Sequence, residues 1–139
     1  MSAAALPLQR DVRVISLIGI AHGVSHYYQL AFATMLLVVR EKAGLSYGDV
    51  GALAAIFYAV SGVCQTAAGF AVDRYGARPI LAGGLAMIGI GLALTAVANS
   101  FMFFAAIAVF AGIGNCVFHP ADFAIRSEGH TSELQSRFG

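Results

Sequence analysis

Apolar and polar residues alternate in long blocks along this chain. Four apolar runs cover residues 12–39, 50–72, 79–98 and 101–125. A helix needs about 20 mostly apolar residues to cross a bilayer, and in hydrocarbon every backbone amide must be paired within its own segment. The pattern therefore predicts an all-α, polytopic membrane protein with four transmembrane helices, preceded by a short N-terminal segment, residues 1–11.

The composition excludes an ordinary soluble domain. Hydrophobic residues make up 59% of the chain and charged residues 11%, whereas soluble domains are about 25% charged. The formal net charge is +1, without a basic patch in the sequence, so the expected partner is the lipid bilayer and no nucleic acid. Cys64 and Cys116 lie inside apolar runs, which favours packing residues over a disulfide framework or a metal site.

The polar connectors predict helix ends and orientation. Ser46 is followed by Asp49 three residues later, a capping-box pattern that opens the second helix. Asn99 and Ser100 predict a hairpin turn between the third and fourth helices. The six basic residues before the polar tail divide four against two: Arg10, Arg13, Arg74 and Arg78 on one side, Arg40 and Lys42 on the other. The positive-inside rule then places the N-terminus in the cytoplasm.

Small residues recur within the helices and predict close helix packing, because they let backbones approach each other in lipid. They lie at Gly51, Ala55, Gly62 and Gly69 in the second helix, at Gly83, Gly84, Gly89 and Gly91 in the third, and at Gly112 and Gly114 in the fourth.

Polar side chains share one face in the first helix and one face in the fourth. They are His22, Ser25, His26 and Gln29 in the first, and Asn115, His119 and Asp122 in the fourth. Polar groups in mid-membrane are costly and mark functional pathways, and transporters place sites between corresponding helices of structural repeats. We therefore expect a polar cavity that serves as a substrate or proton pathway. Pro120 predicts a bend beside it, because its ring removes a backbone donor.

The loop between the second and third helices carries a recognisable motif, "GFAVDRYGARPIL", residues 69–81. It resembles the signature loop of the major facilitator superfamily, although Ala77 stands where that family usually has a base. The resemblance implies a 12-helix fold in two halves, of which this chain is the first part. It also implies a conformational latch on the cytoplasmic face, formed by Gly69, Asp73, Arg74, Gly76 and Arg78.

Two further segments resemble the branch of this family that includes fosmidomycin-resistance-type efflux proteins. They are "VFHP" at residues 117–120 and "AHGVSHYYQL" at residues 21–30, in which Ser25-His26 replaces an Asn-Asp pair found in some members. We expect a secondary active transporter, not an enzyme, that exports small molecules across the cytoplasmic (inner) membrane in exchange for protons. Histidines suit proton relay because imidazole titrates near neutral pH. No cofactor is expected, and the missing C-terminal helices of the same gene product are expected partners.

Two alternatives remain open at this point. A complete small four-helix multidrug transporter acting as a dimer fits the length, but such proteins carry a glutamate within the first helix. The glutamates here, Glu41, Glu128 and Glu133, all lie outside the predicted helices. A membrane-anchored metal- or haem-binding protein would use His22 and His26, which face one side at i and i+4. No cysteine or carboxylate lies near that pair in the sequence, so we predict no metal site.

The last 14 residues differ in character from the rest. Residues 126–139 are polar, and the stretch "RSEGHTSELQS" at residues 126–136 resembles the conceptual translation of a sequencing-library adapter. It has no periodic apolar face with which to offset the entropy of ordering. We expect this tail to be non-native and disordered.

Overall fold

The computed structural model describes residues 5–121 and residue 124, and every regular element in them is helical. The order is α1 (Ala5–Val39), α2 (Tyr47–Tyr75), α3 (Ala77–Leu94) and α4 (Phe101–Asn115). The prediction of an all-α fold with four helices is therefore confirmed. Asp122 and the polar tail, residues 126–139, lie outside the described residues.

Three of the described helices have both the length and the apolar character of membrane spans, and α1 is not among them. Among the described residues, Tyr47–Tyr75, Ala77–Leu94 and Phe101–Ala121 are each long and apolar enough to cross a bilayer. α1 has 35 residues, which corresponds to about 50 Å at 1.5 Å per residue. It is therefore longer than the hydrocarbon core, which is about 30 Å thick.

Helix ends extend beyond the apolar runs where local chemistry favours them. α1 begins at Ala5, so Arg10 and Arg13 lie within the helix rather than beside it; arginine is a good helix former once the chain leaves hydrocarbon. α2 begins at Tyr47 because the predicted capping box is present. The Ser46 side chain accepts a hydrogen bond from the Asp49 amide, and the Asp49 carboxylate accepts one from the Ser46 amide.

The predicted loop between α2 and α3 contracts to a single residue, Gly76. Its φ of 85° and ψ of 152° lie in a region that only glycine adopts readily. The Gly76 amide donates to the carbonyl of Val72 at 2.8 Å, and α3 begins at the next residue. Asp73 and Arg74 consequently occupy the last turn of α2. Pro79 is accommodated in the first turn of α3, where backbone amides have no intrahelical acceptor.

The connection between α3 and α4 is longer than the predicted Asn99-Ser100 turn. α3 ends at Leu94, and the amides of the next three residues donate to carbonyls three positions back instead of four. This tightened turn is a common way for a helix to end. Ser100 then caps α4 by accepting a hydrogen bond from the Phe103 amide at 3.3 Å.

α4 is the central helix of the bundle. Half of its most apolar stretch is buried, against 22% for α2 and α3. Its inward side chains, including Phe104 and Ile107, join one core cluster with Phe32 of α1 and Phe57 of α2. The Phe32 and Phe57 rings stack with their centroids 5.1 Å apart.

Glycines set the closest approach of α3 to α4. A Cβ atom added to Gly84 would lie 2.5 Å from the Gly114 carbonyl oxygen, and one added to Gly114 would lie 2.7 Å from the Gly84 carbonyl oxygen. By contrast, a Cβ at Gly51, Gly62 or Gly69 of α2 would meet no atom within 4 Å in the described structure. A Cβ atom added to Gly112 would likewise lie 2.8 Å from the Phe57 carbonyl oxygen of α2. The predicted close packing is therefore seen at Gly84, Gly112 and Gly114 within the described bundle.

Candidate functional site

A polar network joins α1, α2 and α4 inside the bundle. The Asn115 side-chain oxygen accepts hydrogen bonds from Ser25 Oγ at 3.3 Å and from Gln29 Nε2 at 3.1 Å. The Asn115 Nδ2 group donates to Ser61 Oγ at 2.8 Å. Ser25, Ser61 and Asn115 are all buried. Asn115 is thus the hub of a network that ties three helices together.

Helical spacing explains how two of these side chains reach the hub. Ser25 and Gln29 are four residues apart on α1, and Gln29 Nε2 lies 3.5 Å from Ser25 Oγ. Asn115 is the last residue of α4. A carbonyl oxygen has two lone pairs, and the two donors from α1 occupy both. A buried polar group left unpaired costs about 1–3 kcal/mol. The network therefore favours one register of α1 against α4, in which all three side chains are paired.

Three histidines form a second polar group near this network. The Nε2 atoms of His22 and His26 lie 3.0 Å apart, within hydrogen-bonding distance. Such a bond requires a proton on one Nε2 atom and a lone pair on the other. The His119 ring packs edge-on against His22, with centroids 5.6 Å apart. His22 is half-buried, whereas His26 and His119 are exposed.

The polar faces of α1 and α4 therefore meet along two successive turns. Ser25 and Gln29 contact Asn115, and His22 contacts His119 one turn further along α4. The structure thus brings together the residues that the sequence placed on these faces, apart from Asp122, which lies outside the described residues.

Ser61 was not singled out by the sequence. Gln65 of α2 is the more polar residue, but Ser61, one turn earlier, accepts a hydrogen bond from Asn115 across the helix interface. A buried serine in an apolar run is a weak signal, since its hydroxyl also suits a backbone carbonyl of its own helix.

The helical pattern of the fourth span is interrupted just before His119. α4 ends at Asn115, a turn follows at Cys116 and Val117, and one more helical turn covers residues 118–121. Pro120 has no amide proton to donate to the Cys116 carbonyl, four residues earlier. The fourth span is therefore divided at residues 116–117, close to the bend predicted at Pro120, and His119 lies on the short helical turn after the division.

That short turn packs beneath the Gly76 turn. Ala121 is completely buried and forms a small cluster with Val72 at the end of α2 and Ala77 at the start of α3. Asp73, Arg74 and Arg78, which are neighbours of these last two residues in the sequence, are exposed. The segment that carries His119 thus packs against residues that lie next to those of the predicted latch.

No three His, Cys, Asp or Glu side chains within the described residues are arranged to hold a metal ion together. The described site is built from amides, hydroxyls and imidazoles. Such groups donate and accept hydrogen bonds, and the imidazoles can also carry a proton.

Comparison with known proteins agrees with the motif at the α2–α3 turn. The sequence profile of the Major Facilitator Superfamily matches residues 15–128. The chain belongs to the Major Facilitator Superfamily. This membership confirms the resemblance at the level of the superfamily.

Two relatives within the Major Facilitator Superfamily are similar to the chain. The "Probable L-galactonate transporter" of Escherichia coli (strain K12) is 31% identical over 84 residues, which cover 60% of this chain and 18% of that protein. The "Uncharacterized MFS-type transporter YfnC" of Bacillus subtilis (strain 168) is 27% identical over 107 residues, which cover 77% of this chain and 26% of that protein. No solved structure matches the chain. The chain therefore spans about a quarter or less of the length of these relatives.

Proposed function

We propose that this chain forms the first four helices of a secondary active transporter that exports small molecules in exchange for protons. The observation that carries the proposal is the meeting of two polar faces, at Ser25 with Asn115 and at His22 with His119. In a lipid-embedded bundle, polar residues gathered on facing helices are expected at a transport pathway.

The residues divide into two roles in this proposal. His22, His26 and His119 relay protons, since imidazole gains and loses a proton near neutral pH. Ser25, Gln29 and Asn115 offer hydrogen bonds that orient substrate or hold the helices in register. Asp122 joins the proton pathway near the cytoplasmic end.

The latch role rests on the residues around Gly76. Asp73, Arg74 and Arg78 are exposed. Exposed charges at this turn suit ion pairs with the helices that complete the transporter. Movement of the turn that carries His119 would be transmitted to this latch through Ala121.

Two substrate classes are worth testing first. One relative's printed name refers to L-galactonate, a sugar acid, and the VFHP segment resembles the fosmidomycin-resistance-type efflux branch. L-Galactonate and fosmidomycin are both small, polar anions. A pathway lined by amides and imidazoles suits either compound. The proposed setting is the cytoplasmic (inner) membrane, with the N-terminus in the cytoplasm.

Cysteine labelling tests the pathway. In the full-length transporter that carries this sequence, with Cys64 and Cys116 replaced by alanine, we expect His26→Cys and His119→Cys to react with a water-soluble thiol reagent. Phe104→Cys, at a completely buried core position, is the matched unreactive control. Absence of labelling at both histidine positions, with and without substrate, would exclude an aqueous pathway here.

Transport assays test coupling and direction. Cells that express the full-length protein should become resistant to fosmidomycin or accumulate less L-galactonate, and a protonophore should abolish the effect. Increased accumulation would show import instead of export, and insensitivity to the protonophore would show that protons are not the coupling ion.

A further inference from the structure

His22 and His26 have the arrangement of a bidentate metal chelate. They are four residues apart on α1, so both side chains project from the same side of the helix. Their Nε2 atoms lie 3.0 Å apart and their ring centroids 4.6 Å apart. Two nitrogens that bind one metal ion at about 2.0–2.1 Å lie about 2.8–3.4 Å apart, from octahedral to tetrahedral coordination. The two imidazoles therefore already have nearly the spacing that a shared ion requires.

The position of the pair favours the same conclusion. In the described bundle His26 is exposed and His22 is half-buried, so the pair lies at the surface of these helices and not in their core. A divalent ion in mid-membrane is stable only where it keeps part of its water shell. Two imidazoles leave the remaining coordination positions to water, which suits a pair that lines an aqueous pathway.

We propose that His22 and His26 chelate a divalent transition-metal ion through their two Nε2 atoms. Imidazole ligands suit copper, nickel and zinc, and affinity follows the order Cu²⁺ above Ni²⁺ and Zn²⁺. Binding requires a lone pair on both Nε2 atoms, so the proton shared between them moves to the Nδ1 atom of the same ring. This move changes the tautomer of one ring and leaves the number of protons on the pair unchanged. Binding at the pair does not depend on the transport activity proposed above.

Metal binding is measured on the purified full chain in detergent, prepared with an affinity tag that contains no histidine. Equilibrium dialysis against Cu²⁺, Ni²⁺, Zn²⁺ and Mg²⁺, with elemental analysis, should show one saturable site for the three transition metals. Mg²⁺ should not bind, because it prefers oxygen ligands.

Variants locate the site. His22→Ala and His26→Ala should each weaken binding by more than about tenfold, since loss even of a second-shell partner costs about 10–100-fold in affinity. His130→Ala removes one imidazole from the polar tail and should leave binding unchanged. Circular dichroism of each variant checks that the helices are retained.

A rescue variant separates chelation from a structural effect of the histidines. Leu30 is exposed and four residues after His26, so the double variant His22→Ala with Leu30→His restores an i, i+4 pair one turn further along α1. Binding of one ion should return. No saturable binding by the unaltered chain, or equal binding after His22→Ala, would overturn the proposal and leave the two rings as a hydrogen-bonded pair.

Discussion

Asn115 Nδ2 lies 2.8 Å from Ser61 Oγ, a hydrogen bond that joins the end of α4 to the middle of α2 across 54 residues of sequence. The other end of the same amide receives two donors from α1. One side chain therefore satisfies polar groups on two neighbouring helices. Its removal should weaken the packing of α4 against both of them.

Asn115→Ala should lower the free energy of unfolding by about 1–3 kcal/mol, because it leaves three polar side chains without their partner. Ser61→Ala should cost less, about 0.6 kcal/mol, the average for a hydrogen bond between helices in a membrane. Unfolding of the chain by denaturant in detergent measures both. Asn99→Ala, at an exposed position in the α3–α4 connection, is the matched control and should have little effect. Equal stability of Asn115→Ala and Asn99→Ala would show that the network contributes nothing.

Gly84→Ala should destabilise the bundle by about 1–3 kcal/mol, the usual effect of overpacking. Its added methyl group would lie against the Gly114 carbonyl oxygen and the Val117 side chain. Gly83→Ala adds the same methyl group one residue earlier, where it meets no atom within 4 Å in the described structure. That control should be neutral, or stabilising by up to about 1 kcal/mol. Thermal unfolding of the two variants side by side gives the comparison, and a destabilised Gly83→Ala would contradict the packing described here.

The proposed orientation places the N-terminus and the Gly76 turn in the cytoplasm, since arginine is concentrated there. Topology reporters fused after Ala43 and after Asn99 should both report the outside, and a fusion after Tyr75 should report the cytoplasm. A reversed pattern at all three positions would show that the protein has the opposite orientation in the membrane.

Asp73→Asn should impair transport by the full-length protein more than it impairs expression, because an amide keeps the shape of the side chain but cannot form an ion pair. Asp73→Glu preserves the charge and should retain more activity. Transport and membrane abundance are measured on the same cells. A parallel loss of both quantities in Asp73→Asn would assign the residue to folding alone.

The tail, residues 126–139, is predicted to be foreign to the evolved protein. Resequencing the locus with independent primers should show different codons after Ile125. These codons should encode further apolar segments. The same codons for Arg126–Gly139 followed by a stop would contradict this prediction and would favour a small four-helix transporter.

The sequence by itself was sufficient for the class of protein and for the local features of its helices. Blocks of apolar residues specify transmembrane helices because hydrocarbon leaves the backbone no other way to pair its amides. Ser46 and Asp49 predicted the start of α2, and periodicity placed Ser25 and Gln29 on one face, because both depend on residues only three or four positions apart. The motif around Asp73 likewise indicated the family.

The tertiary structure decided which faces meet. Met102 and Phe104 stand two residues apart in one apolar run, yet Met102 is 75% exposed and Phe104 is completely buried. Lipid and protein core are equally apolar, so hydrophobicity along a transmembrane helix does not distinguish the inward face from the outward face. The central position of α4, the Gly84–Gly114 contact and the participation of Ser61 in the Asn115 network all depend on residues distant in sequence. Only the packed bundle brings them together.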